Sequence, residues 1–317
     1  MKLMTSLVCL IGLLFLPGCG TKEAAKQALV GTWKTAQTMQ PFSYQNYLPD
    51  QLNIKVLPFT NPGDQKTALL AGQLNMCGTT LVTAITAASK GEPVVVVSSL
   101  CNKCSALVVG KDSDIKTPAD LKGKKIAYVP GTMHHILLLE TLRKAGLDPQ
   151  KDVELKRIDF FDMGQALAQG SVDAFCSGEP YPSIALSKGY GRILVYPYYG
   201  DSVGTINAGM LTTADEIENN RAVIQQLITA QAKSTEYLKN HPNEWLNMAA
   251  DFGTERTVLD VAADNIELTW DMDEQYIKQA KALAQQMKDL GVITQLPDMD
   301  KLFDLSFVEQ ARKDLQK

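Results

Sequence analysis

From Asn53 onward the chain switches repeatedly between short β-rich runs and helical stretches, an alternation that restricts it to an α/β fold with largely parallel sheets. Runs over 53–59, 74–78 and 93–100 read as strands, with helices over 64–72 and 80–90 between them. After an apolar run at 105–109 and the polar break Lys111-Asp112-Ser113-Asp114, a second unit begins. In it, strands over 125–129, 152–159, 172–176 and 192–199 alternate with helices over 132–145, 163–170 and 181–188. The apolar stretch 206–211 leads back toward the first unit, and the remainder is helical, over 214–240, 243–251, 255–265, 274–290 and 301–315. Pro242 opens one of these helices, with His241 before it biased to an extended backbone.

The two units echo each other. Ala68-Leu69-x-x-Gly72-x-Leu74-Asn75 returns 98 residues later as Ala166-Leu167-x-x-Gly170-x-Val172-Asp173: a helix, a turn glycine and the strand that follows. Two domains built on one plan produce such a repeat, and so does any helix–Gly–strand unit.

The first 19 residues stand outside this pattern. Lys2 gives a positive start, Leu3 to Phe15 an apolar run too short for a membrane-spanning helix, and Leu16-Pro17-Gly18-Cys19 a small residue before a cysteine. The segment resembles a bacterial lipoprotein signal, cleaved so that an acylated Cys19 becomes the N-terminus and anchors the chain to a membrane outside the cytoplasm. Residues 20–29 then read as a tether. The rest, 45 % hydrophobic and 21 % charged over the whole chain, has the composition of an ordinary globular protein. A formal charge of −4 argues against nucleic acid as a partner.

Six cysteines become four once Cys9 and Cys19 are set aside with the signal. Cys77, Cys101, Cys104 and Cys176 read as strand-end residues, and a chain this long needs no disulfide staples. Positions three apart on a strand face opposite ways, so Cys101 and Cys104 converge only if Asn102-Lys103 forms a turn. Three readings stay open. The thiols form a structural disulfide, Cys101 to Cys104 or either to Cys77; or all four hold a soft metal or a thiophilic compound; or one is a nucleophile, with His134 beside Cys176 as the conceivable pair.

Three stretches carry a family resemblance: Thr67-Ala68-Leu69-Leu70-Ala71-Gly72 through Gly78-Thr79-Thr80; Asp120-Leu121-Lys122-Gly123-Lys124-Lys125-Ile126-Ala127 through Gly131-Thr132-Met133-His134; and Val172-Asp173-Ala174-Phe175-Cys176-Ser177-Gly178-Glu179-Pro180-Tyr181. Together they resemble type II periplasmic substrate-binding proteins of the nitrate, bicarbonate, sulfonate and taurine branch. The last stretch is similar to a Gly-Glu-Pro-Trp segment, with Tyr181 in place of the tryptophan. The resemblance implies a two-lobed α/β fold with two hinge strands and C-terminal helices, closing on a ligand between the lobes. The expected division is lobe 1 over 30–109 and 206–317, and lobe 2 over 110–205.

The resemblance also implies a monomeric lipoprotein that delivers a small molecule to the permease of an ABC importer, with no cofactor and no chemistry of its own. The expected cargo is a small anion such as a sulfonate, nitrate or a carboxylate. The alternatives keep the fold: a soft-metal or thiophilic cargo held by the four cysteines, or a thiol enzyme of cofactor metabolism.

Ligand contacts are expected from two helix N-termini, Gly78-Thr79 and Thr132, where unsatisfied N–H groups favour anions. Thr132 also reads as a simple helix cap. His134, Glu179 and Tyr181 complete the second lobe's share, Gln40 comes from the first loop beside Met39 and Phe42, and Cys77, Cys101, Cys104 and Cys176 lie beside them. His135, Trp245 and Trp270 read as structural.

Overall fold

The computed structural model describes residues 26–59 and 62–316; the signal segment, with Cys9 and Cys19, lies outside the described residues. The first sheet takes β1 (Lys26–Trp33), β2 (Leu52–Phe59), β3 (Met76–Thr80), β4 (Val94–Lys103), β10 (Ile206–Thr213) and β11 (Ile266–Leu268) in the order β11-β4-β10-β3-β1-β2. A second sheet takes β5 (Ser105–Gly110), β6 (Lys125–Tyr128), β7 (Glu154–Arg157), β8 (Ala174–Gly178) and β9 (Gly191–Val195) in the order β7-β6-β8-β5-β9. In each, three parallel strands (β2-β1-β3 and β7-β6-β8) meet an antiparallel strand, β10 or β5, at the edge of the trio. Helices α1 (Pro62–Leu70) and α2 (Leu81–Ser89) belong to the first lobe, and α3 (Met133–Lys144), α4 (Phe160–Ala168) and α5 (Tyr181–Ser187) to the second. The C-terminal run comprises α6 (Ala214–Asn240), α7 (Pro242–Ala250), α8 (Arg256–Ala262), α9 (Glu274–Asp289), α10 (Met299–Leu302) and α11 (Ser306–Leu315).

The sequence echo is one structural device used twice. Gly72 and Gly170 both have φ of +69°, and each ends its helix with the same pair of bonds. The glycine N–H donates to Leu69 O or Leu167 O, and the next N–H to Ala68 O or Ala166 O. That left-handed turn favours glycine. Immediately before the next strand, Asn75 and Asp173 then tie back to the neighbouring strand alike. Asn75 exchanges bonds with Leu29 N and O, and Asp173 with Lys125 N and O.

Several boundaries differ from the expected ones. Lys26 to Leu29, expected in the tether, begin β1, because pairing with β2 from Lys26↔Leu52 onward buries Ala28. The first crossing between lobes falls at Cys104, earlier than 109, since β5 pairs with β8 and β9 in the second sheet. The stretch 301–315 is broken by Phe303 and Asp304, where Phe303 makes a bridge to Val96. Residues 255–265 give only a short helix before β11 pairs with β4.

One apolar cluster fills the first lobe around Met76, Leu100, Met210 and Phe307, and α3 sends Met133, Ile136 and Leu137 into it from the second lobe. A smaller cluster under the C-terminal helices joins Trp245 and Leu259 to Met39 and Cys104. Trp245 donates to Ala36 O at 2.6 Å and Trp270 to Glu236 Oε1 at 2.9 Å. Both indoles are buried with their N–H satisfied.

Candidate functional site

In open α/β sheets, ligands sit beyond the carboxyl ends of the strands. Here those ends lead into the 36–47 segment after β1, the start of α2 after β3, the start of α3 after β6, and Glu179 after β8. Two of these, the 36–47 segment and Glu179, meet at the junction of the lobes. Gln37 Nε2, from the first lobe, donates to Glu179 O at 3.0 Å, and Asn265 Nδ2 donates to Glu179 Oε1 at 3.0 Å. Glu179 N in turn donates to Cys104 O at 2.8 Å, in the crossover itself.

Glu179 is the pivot. Its side chain is buried, and Oε2 accepts from Ser183 N at 3.2 Å in the first turn of α5. Burial raises its pKa, and the bonds from Asn265 and Ser183 only partly offset that effect. Among the described residues no lysine or arginine pairs with it. Asn265 is oriented by Tyr198, whose hydroxyl donates to Asn265 Oδ1 at 2.6 Å while accepting from Ser105 N at 2.8 Å. A row of buried groups thus runs from the crossover to the carboxylate.

His134 sits beside this row. Its Nδ1 is 2.8 Å from Ser105 Oγ, and burial pushes its pKa down to about 4, so the ring is neutral at pH 7. Nε2 has no hydrogen-bond partner among the described residues. The ring meets Phe160 edge-on at 5.7 Å, and Phe160 stacks on Tyr181 at 5.8 Å. Gly178 gives the histidine its room: a Cβ there would lie 2.6 Å from Nε2.

The expected contacts divide into those at the junction and those away from it. Gln40 is buried; Nε2 donates to Leu100 O at 2.8 Å, which leaves Oε1 without a partner. Thr79 is buried with its hydroxyl unpartnered, whereas Gly78 is a packing glycine whose Cβ would lie 2.6 Å from Leu100 Cδ2. Thr132 accepts from His135 N at 3.2 Å and donates to Val129 O at 2.9 Å, so its hydroxyl is spent on the cap. Phe42 packs on Phe252 at 4.7 Å.

The cysteines do not form one site. All four thiols are free and buried, and among the described residues no group of three or more His, Cys, Asp or Glu side chains could hold a metal. Cys77 lies inside β3, flanked by Gly31 and Leu211, and Cys176 lies in the second lobe's core. Burial pushes both thiols up to about 12, the opposite of what a metal ligand or nucleophile needs. The soft-ligand set therefore loses its geometry. So does the Cys176–His134 pair, because Cys176 Sγ donates to the backbone oxygen of His134 at 3.3 Å and not to its ring.

Gln37, Ser105, Tyr198, Asn265 and Phe160 were not legible as site residues. Each is set by a contact between lobes or between strand ends distant in sequence, and none lies in a recognisable motif. A separate groove of about 840 Å³ runs between α2 and α3, where Thr83, Thr86 and Lys90 face Gly131, His135 and Arg143. It lies outside the Glu179 cluster, and none of the junction residues line it.

A family model described as NMT1/THI5 like matches residues 47–245. The chain belongs to that family. Among relatives of this NMT1/THI5-like chain, an Escherichia coli (strain K12) protein named for the binding of aliphatic sulfonates is 36 % identical over 126 residues, 40 % of this chain and 38 % of that protein. The match thus spans well under two thirds of that relative's length. A Brachyspira hyodysenteriae protein named as a periplasmic binding protein of an ABC transporter is 26 % identical over 287 residues, 81 % of each chain. Among solved structures, the periplasmic aliphatic sulphonate binding protein SsuA of Escherichia coli superposes with a TM-score of 0.77 at 24 % identity, covering 87 % of this chain and 91 % of that one. The NMT1/THI5-like chain has the two-lobed periplasmic-binding-protein fold.

Proposed function

We propose that this protein is the extracytoplasmic solute-binding component of an ABC importer, holding a small molecule between its lobes and passing it to the permease without chemical change. Family membership and the named relatives support this reading, and so does the N-terminal segment that resembles a lipoprotein signal. The observation that carries it is the convergence of both lobes on Glu179. A ligand that binds there touches Gln37 and Asn265 from one side and Glu179 and His134 from the other, so binding and closure are one event.

The same observation narrows the cargo. A bare anion such as nitrate gains backbone N–H groups ahead of α2 and α3 but meets a buried carboxylate with no counter-cation. Gln37 Oε1 and Gln40 Oε1 are further buried acceptors without partners, and in both amides the nitrogen is fixed by donation to a carbonyl. A ligand that presents hydrogen-bond donors, with any sulfonate or carboxylate at its other end, satisfies both sides. Thermal unfolding of wild type and Glu179→Gln against nitrate, an alkanesulfonate and an aminoalkanesulfonate tests the reading. Saturating ligand at about 100 times its Kd stabilises by about 2.7 kcal/mol. The expected result is a shift for the amino compound that the variant loses. Equal shifts for nitrate in both proteins would sink the donor reading and leave the carrier reading standing.

A further inference from the structure

We infer that Cys101 and Cys104 are a disulfide-forming pair built into the first crossover between the lobes. Cys101-Asn102-Lys103 ends β4, Cys104 is the linking residue and Ser105 starts β5 in the other sheet, so the pair spans the end of the first sheet and the link. Lys103 and Cys104 both have left-handed backbones, with φ of +61° and +62°, a conformation that non-glycine residues adopt at a penalty. That turn brings together two side chains that a regular strand would place on opposite faces. Cys101 is near enough to Cys104 that its side chain, together with burial, raises the Cys104 pKa.

The turn is fixed from outside. Lys103 N donates to Thr205 O at 2.6 Å, Cys104 N to Asn265 O at 2.7 Å, and Asn207 Nδ2 to Lys103 O at 2.7 Å and to Cys104 Sγ at 3.0 Å. Thr205 and Asn207 flank the start of β10, where the chain returns to the first lobe, so the pair is held by both crossings at once. Cys77 and Cys176 have no such arrangement: each lies in the interior of a regular strand, β3 or β8, with no left-handed turn beside it.

Either sulfur of the pair can open the exchange with the same balance of bonds. The oxidant is a small-molecule disulfide. The Cys101 thiolate attacks one of its sulfurs, forming a mixed disulfide and releasing the first thiolate, which takes up the proton Cys104 gives up. Cys104 sulfur then attacks Cys101 Sγ and expels the second thiolate, which is protonated from solvent by the proton first lost from Cys101. Two protein thiols are oxidised and one disulfide is reduced to two thiols. The closed bond spans the crossover one residue before Ser105, which contacts His134, and at the carbonyl that accepts from Glu179 N.

The full chain, reduced and then incubated natively with bis(2-hydroxyethyl) disulfide, tests this by peptide mapping. Trypsin cuts after Lys90, Lys103 and Lys111, so each cysteine falls on its own peptide, 91–103 or 104–111. The expected product is the two peptides joined at a mass two hydrogens below their sum, separable by reductant. It is expected to persist in Cys77→Ala/Cys176→Ala and to vanish in Cys101→Ser and in Cys104→Ser. Because the peptides are identified individually, Cys9 and Cys19 do not confuse the result. Stable hydroxyethyl adducts on both peptides, bonds from either to Cys77 or Cys176, or a joined product that forms only in urea would each overturn the inference.

Discussion

Replacing Glu179 by glutamine separates the charge of this side chain from its shape. In the wild type the buried carboxylate accepts from Asn265 Nδ2 at 3.0 Å and from Ser183 N at 3.2 Å. A glutamine offers one acceptor oxygen and turns an NH₂ group toward the other donor, so one of the two bonds is lost, at about 1 kcal/mol. Against that, the variant is relieved of a desolvated charge. Burial raises the Glu179 pKa above its unfolded value, so the contribution of this carboxyl is full below the unfolded pKa and is lost as pH rises through the folded one. Each unit of that elevation is worth about 1.4 kcal/mol at neutral pH. Urea unfolding of both proteins from about pH 4 to pH 8, read as wild type minus Glu179→Gln, is therefore expected to fall as pH rises, with the denaturant slope unchanged. If the difference is flat or climbs with pH, the carboxylate is stabilised by its surroundings. The case for a donor-bearing ligand then goes with it.

Three further outcomes follow from distances already given. Gly178→Ala places a Cβ 2.6 Å from His134 Nε2 and is expected to destabilise by about 1–3 kcal/mol, a loss that a His134→Ala background relieves in a double-mutant cycle. Asn265→Ala removes a donor from Glu179 and an acceptor from the Tyr198 hydroxyl, and is expected to cost about 3 kcal/mol in chemical denaturation; a loss below about 1 kcal/mol contradicts the network. The folded pKa of His134, about 4 against an ordinary 6.5, makes its contribution present above pH 6.5 and lost as pH falls toward 4, up to about 3 kcal/mol. His134→Gln is expected to flatten that slope without abolishing it, because His135 is also pushed down to about 4. An unchanged slope would show that the ring is protonated in the fold.

What was legible in the sequence was whatever is encoded locally. The alternation of runs is local, and it places the parallel strands and most helices; Ala214–Asn240 agrees to the residue because Thr213 caps it and Pro242 follows its end. The glycine echo is local as well, since a left-handed helix end demands glycine whatever surrounds it. Elements that exist only through partners were not legible. β11 is three residues whose strand character comes from pairing with β4, and the first half of β1 looked like linker because its apolar alternation is visible only against β2. The same rule divides the site. Glu179 and His134 lie in motifs that sequence alone singles out, while Asn265, which donates to Glu179, sits some 86 positions away in a segment that reads as the end of a helix.

The cysteines show the rule from the other side. Four thiols counted along the chain invited one explanation, yet Cys77 and Cys101 lie in the first lobe's core, Cys104 under the C-terminal helices and Cys176 in the second lobe's core, and only Cys101 and Cys104 sit at the two ends of one turn. That turn has no glycine to announce it. Its left-handed residues are a lysine and a cysteine, held by backbone and side-chain bonds from Thr205, Asn207 and Asn265, three positions in the returning chain. The conformation of the first crossover is thus dictated by residues near the second crossing and near β11. Since Cys104 O also accepts from Glu179 N, any movement of the lobes that shifts the return strand is felt at Glu179 through the same few bonds. The proposed closure on a ligand needs such a linkage, and here it passes through the turn that carries Cys101 and Cys104.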